Sequence, residues 1–63
     1  MTLRGLIETA GDKQKVCLTI DDRRYSGFWY EEHMLDLLDR YANRPVDVTR
    51  DEDSLLVARV RRY

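Results

Sequence analysis

Three short runs of this sequence alternate apolar and polar residues with a period of two. In KVCLTID, Val16, Leu18 and Ile20 alternate with Cys17, Thr19 and Asp21. In PVDVTR, Val46 and Val48 alternate with Asp47 and Thr49. In SLLVARVRRY, Leu56, Ala58 and Val60 fall on one side, and Leu55, Val57, Arg59 and Arg61 on the other. Side chains of an extended chain point to opposite faces in turn, so each run predicts a half-buried strand.

A fourth strand is expected at Arg24 to about Trp29, where Tyr25, Phe28 and Trp29 surround Gly27. DDRR, residues 21–24, supplies the turn that joins it to the first alternating run. The loop length decides which aromatics face the core. A two- or four-residue turn directs Tyr25 and Trp29 inward, with Arg24, Ser26 and Phe28 outward. A three-residue turn reverses the faces. The even-numbered turn is favoured because Tyr25 and Trp29 then complete the apolar side.

One stretch has a different period. In YEEHMLDLLDRYAN, Met34, Leu35, Leu37, Leu38 and Tyr41 sit at helical spacings, with Asp36, Asp39 and Arg40 between them. Glu31 and Glu32 fall in the first turn, where the helix dipole favours acids. Asn43 is expected to end the helix in a left-handed conformation, and Pro45 stops it. The helix is placed near residues 31–42. Before the first alternating run, Leu3 to Thr9 carries Leu3, Leu6 and Ile7 around Gly5. It reads as a strand bent at the glycine. The polar AGDKQ, residues 10–14, follows as a turn.

The resulting order is strand–strand–strand–helix–strand–strand in one domain, residues 1–63. By element order, the pattern from Leu3 to Val60 resembles a minimal OB-fold barrel or a related SH3-like small barrel. The resemblance implies a mainly β five-stranded barrel with one helix. If the first segment is not a strand, the expectation becomes an open four-stranded sheet packed on one helix.

A 63-residue chain has little interior, so its stability rests on the core or on self-association. Cys17 is the only cysteine and His33 the only histidine, which rules out an intramolecular disulfide and a Cys/His zinc site. No catalytic site, cofactor or metal is expected. His33 reads as a surface residue at a helix start and Cys17 as a small thiol on a strand. Glu32, Asp36 and Asp39 read as a solvated acidic face. No 18-residue apolar run or signal-peptide core occurs, so a cytoplasmic protein without membrane contact is expected.

The basic residues are more informative. Eleven basic and twelve acidic residues leave a net charge of −1, which argues against duplex binding driven by charge alone. The charges can nevertheless be segregated, with acids on the helix and arginines on the sheet. Arg23 and Arg24 lie at a hairpin tip, and Arg59, Arg61 and Arg62 cluster with Tyr63 near the C-terminus. The resemblance to a small barrel implies a face that binds single strands through stacked aromatics and cations. The contact candidates are Arg23, Arg24, Tyr25, Phe28, Trp29, Arg59 and Arg61. The leading expectation is a non-enzymatic module that binds single-stranded nucleic acid. The alternative is a protein-interaction module using the Leu55/Val57 face, Phe28 or the acidic helix. Self-association belongs with that alternative, since a small sheet must cover or pair its edges.

Overall fold

A computed structural model describes residues 1–11 and 13–62. Asp12, in the expected AGDKQ turn, and Tyr63, beside the C-terminal arginines, lie outside the described residues. The elements run α1 (Leu3–Thr9), β1 (Lys15–Ile20), β2 (Arg23–Gly27), α2 (Glu32–Tyr41), β3 (Val46–Asp51) and β4 (Leu55–Val60). The strands form one open sheet in the order β2-β1-β4-β3. The central strands β1 and β4 are parallel, while β2 and β3 pair antiparallel to them from either side.

Two expectations are corrected. The first segment is a helix, not a strand, so the described residues form four strands and two helices. The sheet is also open rather than a closed barrel, because β2 and β3 form its two edges. The open four-stranded alternative fits in part, with a second helix added. The physical reason is visible in the spacing. Leu3, Leu6 and Ile7 stand at i, i+3 and i+4, which is one helical face, and all three are buried. Thr2 caps the helix, its hydroxyl accepting from the Gly5 N–H at 3.2 Å. The helix start is anchored elsewhere too: Leu3 N–H donates to the Arg44 carbonyl, and Arg4 N–H to that of Ala42.

Those anchors also explain how α2 ends. Asn43 does not take the left-handed conformation; among the described residues only Asp21 and Asp22 are non-glycines with positive φ. The Ala42 and Arg44 carbonyls are instead satisfied by α1, and the Tyr41 carbonyl by the Arg44 N–H. A left-handed cap is unnecessary where another helix supplies the donors.

The β1–β2 hairpin closes on a two-residue turn. Ile20 pairs with Arg23, and Asp21 and Asp22 carry φ of 49° and 70°. Two positive φ values are what a type I′ turn requires, and Asp tolerates them better than most residues. The even turn aligns Leu18 with Tyr25 and Val16 with Gly27. Tyr25 and Trp29 therefore pack against the core, on the side expected. The strand stops at Gly27, so Phe28 lies beyond it, half-buried and stacked on Tyr30 at 5.7 Å.

Both helices cover the same face of the sheet. Val16, Leu18, Ile20, Leu56, Ala58 and Val60 of the central strands meet Leu3, Leu6, Ile7, Met34 and Leu37 in one core. Burying a side chain of this kind contributes roughly 1.5–3 kcal/mol each. No helix among the described residues is long and apolar enough to cross a membrane.

The helical assignment of the first segment has a direct test. A Cβ added at Gly5 would meet Thr2 Oγ1 at 3.5 Å and Met1 Cγ at 3.7 Å, ordinary contacts. Gly5→Ala should therefore stabilise the protein by roughly 0.5–1 kcal/mol in urea unfolding, through helix propensity. A loss of stability would argue against helix there.

Candidate functional site

Because both helices sit on one side, the other face of the sheet has no cover from the described chain. The register assigns its residues. Lys15, Cys17 and Thr19 come from β1, opposite in phase to buried Val16, Leu18 and Ile20. Arg24 and Ser26 come from β2, and Leu55, Val57 and Arg59 from β4. Asp47 and Arg50 of β3 complete it. The ladder slips between Val48 and Arg50, and the Thr49 hydroxyl donates to the Val57 carbonyl at 3.2 Å. This bulge brings Arg50 opposite Val57 and so back to the open face.

The face has a simple anatomy. Its centre is a half-buried strip of Cys17, Leu55 and Val57, with Thr19 beside it. Cys17, Thr19, Arg24, Ser26 and Val57 line a shallow depression. The rim is cationic. Arg61 pairs with Asp47 at 3.1 Å and Arg50 with Glu52 at 3.4 Å. Lys15, Arg24 and Arg59 have no carboxylate within ion-pair distance among the described residues. The opposite, helical side carries Glu32, Asp36 and Asp39 along α2.

The expected contact residues divide accordingly. Arg24 and Arg59 share the open face, and Arg61 adjoins it through Asp47. Arg23 lies in phase with Ile20, on the helix side, at the exposed hairpin end. Tyr25 and Trp29 are turned toward the helices. Phe28 and Tyr30 form their own stacked pair past the end of β2, with Trp29 edge-on to Tyr30. Among the described residues none of these aromatics shares the open face with Arg24 and Arg59; Arg23 and Tyr25 share the helix side instead.

Two further groups hold the ends of the face. Arg44 is 9% exposed although it sits in a connecting loop. Its Nε donates to the Arg61 carbonyl at 2.8 Å, its guanidinium lies 5.2 Å from the Tyr41 ring centroid, and Nη2 reaches Asp21 Oδ1 at 3.4 Å. Arg62 Nε donates to the same carboxylate at 3.0 Å. The hydrogen bond from Arg44, then that from Arg62, hold the Asp21 carboxyl below its ordinary pKa. At the other end, His33 Nε2 lies 2.8 Å from the Ser26 carbonyl and 3.7 Å from Glu31. His33 thus occupies an edge carbonyl of β2 rather than partnering Cys17. No cluster of metal-ligating side chains occurs among the described residues.

Sequence reasoning singled out neither Arg44 nor the Gly27–His33 contact. DDRR did flag Asp21 as a turn residue, but its partners come from positions far along the chain. Gly27 has φ of 151°, and a Cβ there would lie 2.9 Å from two His33 ring atoms and would collide with Glu31 Oε2.

Gly27→Ala is expected to cost about 1–3 kcal/mol, read by urea unfolding, through backbone strain and the displaced imidazole. Asp21 makes a pH prediction. Its folded pKa is lowered, so its contribution is complete above the unfolded carboxylate value and disappears as pH falls through the folded value. Asp21→Asn can keep the turn but not the charge. The stability gap between wild type and variant should be level near neutrality and close progressively below about pH 4. A gap unchanged into strong acid would contradict this role. No family model, curated protein or solved structure gives a significant match to the chain.

Proposed function

We propose that this chain is a non-catalytic binding module whose working surface is the open face of its sheet. Its ligand is a protein surface with acidic residues around an apolar centre. The observation that supports this most is the face itself: among the described residues, Cys17, Leu55 and Val57 form an apolar strip with no covering element, and Lys15, Arg24 and Arg59 rim it without carboxylate partners. An apolar centre inside a polar rim is the usual anatomy of a protein interface. The rim charges would steer an acidic partner and set its orientation more than they would add affinity.

A second reading, single-stranded nucleic acid, is favoured by the same three cations. Among the described residues the open face offers it no stacking platform, since Tyr25 and Trp29 pack toward the helices and the Phe28–Tyr30 pair lies past the end of β2. Strand-binding sheets obtain much of their affinity from bases stacked on aromatics, on the order of 1–3 kcal/mol per base.

Site-specific photo-crosslinking separates face from background. Ser26→benzoylphenylalanine places the probe on the open face at an exposed position, and Glu8→benzoylphenylalanine places it on α1 as a control. Protein adducts are expected from position 26 and not from position 8. Equal yields from both, or none from 26, would contradict the proposal. Titration of a labelled oligothymidylate at low salt tests the second reading. The protein-interface reading expects no salt-sensitive rise in anisotropy; a rise abolished by Arg24→Glu with Arg59→Glu would favour nucleic acid.

A further inference from the structure

We propose that the occupant of the open face is the outer face of α2 on a second copy of this chain, so that copies associate head to tail. The inference rests on the sheet-face reading and names its partner.

Charge complementarity carries it. The outward stripe of α2 is Glu32, Asp36 and Asp39, with Leu35 beside them and 43% exposed. Glu32 and Asp39 have no cationic partner among the described residues. Asp36 pairs with Arg40 at 3.3 Å, but both side chains are more than half exposed, so that pair is weak and exchangeable. Acids flanking one leucine match cations flanking one apolar strip. Leu35 would enter the strip of Cys17, Leu55 and Val57, and the acids would reach Lys15, Arg24 and Arg59.

Size agrees. Ten residues of helix span about 15 Å. Four strands span about 14 Å between the outer two.

Geometry then fixes the kind of assembly. Two sheet faces meeting each other would oppose the same cations, and two α2 faces would oppose the same acids. Face against helix joins the unpaired cations to the unpaired acids; the opposite charges on each surface, Asp47 and Arg40, are already paired with Arg61 and Asp36. These surfaces lie on opposite sides of one molecule, so each contact leaves a free helix and a free sheet. The contact is heterologous, and the assembly grows as a ring or a filament rather than stopping at a dimer. A short chain with one free cysteine and no disulfide gains stability from such burial.

The test is a charge swap followed by sedimentation velocity at low salt. Wild type is expected to show species larger than monomer that grow with concentration. Raising salt to about 0.5 M, where screening falls to a few ångström, should return them to monomer. Arg24→Glu with Arg59→Glu, and separately Asp36→Lys with Asp39→Lys, should each be monomeric with unchanged circular dichroism. The chain carrying all four substitutions should recover association, because the swapped charges again complement. A wild type that stays monomeric at every concentration overturns the proposal, as does a four-fold variant that stays monomeric while wild type associates. The crosslink from position 26 separates this failure from that of the sheet-face reading. An adduct of twice the chain mass, joined to residues 32–39, supports self-association. An adduct with a different protein overturns it and leaves the face as a binding surface. No adduct brings down both.

Discussion

The one-sided packing of the sheet governs everything else in this molecule. Among the described residues twelve buried apolar side chains form its core, and the helices that contribute to it lie on the same side of the strands. A short chain can close one such layer and no more. Its polar satisfaction is equally economical. The carbonyls left at the end of α2 are met by α1, and Arg44 ties the α2 exit, the hairpin turn and the end of β4 into one knot. What remains is a face that folding alone does not use.

That face differs in character from the helical side. Its apolar residues are half-buried by their neighbours rather than by a second layer, and three of its cations lack carboxylate partners within ion-pair distance among the described residues. The net charge of −1 conceals this, because it sums twelve acids and eleven bases wherever they lie. Composition averages over the surface, whereas binding depends on where each sign lies.

Much of this was legible from sequence. The period-two runs put Val16, Leu18 and Ile20 on one side of their strand and Leu56, Ala58 and Val60 on one side of theirs, and the inward parity of Tyr25 is favoured because Tyr25 and Trp29 then complete the apolar side. The helix near 31–42 was evident from its leucines. The first segment is ambiguous in sequence: Gly5 suits a bent strand, while Leu3, Leu6 and Ile7 carry helical spacing and Thr2 a cap. A strand there would make the fifth of a barrel; a helix leaves the sheet open. Arg44 was illegible for a different reason. Its partners Asp21 and Arg61 are distant in sequence, and no local pattern announces a buried arginine in a loop. The aromatic-rich stretch 25–30 suggested a single site, but Tyr25 and Trp29 pack toward the helices while Phe28 stacks on Tyr30 past the end of β2.

Native-state alkylation of Cys17 in dilute solution tests the uncovered face most directly. Cys17 lies at the centre of that face, half-buried and unbonded to another cysteine. The account predicts modification by a small thiol reagent from the folded protein, at a rate insensitive to mutations that change global stability, such as Gly5→Ala. A rate that falls in step with increasing global stability would mean that the thiol is reached only by unfolding. The face would then be covered, and the account wrong.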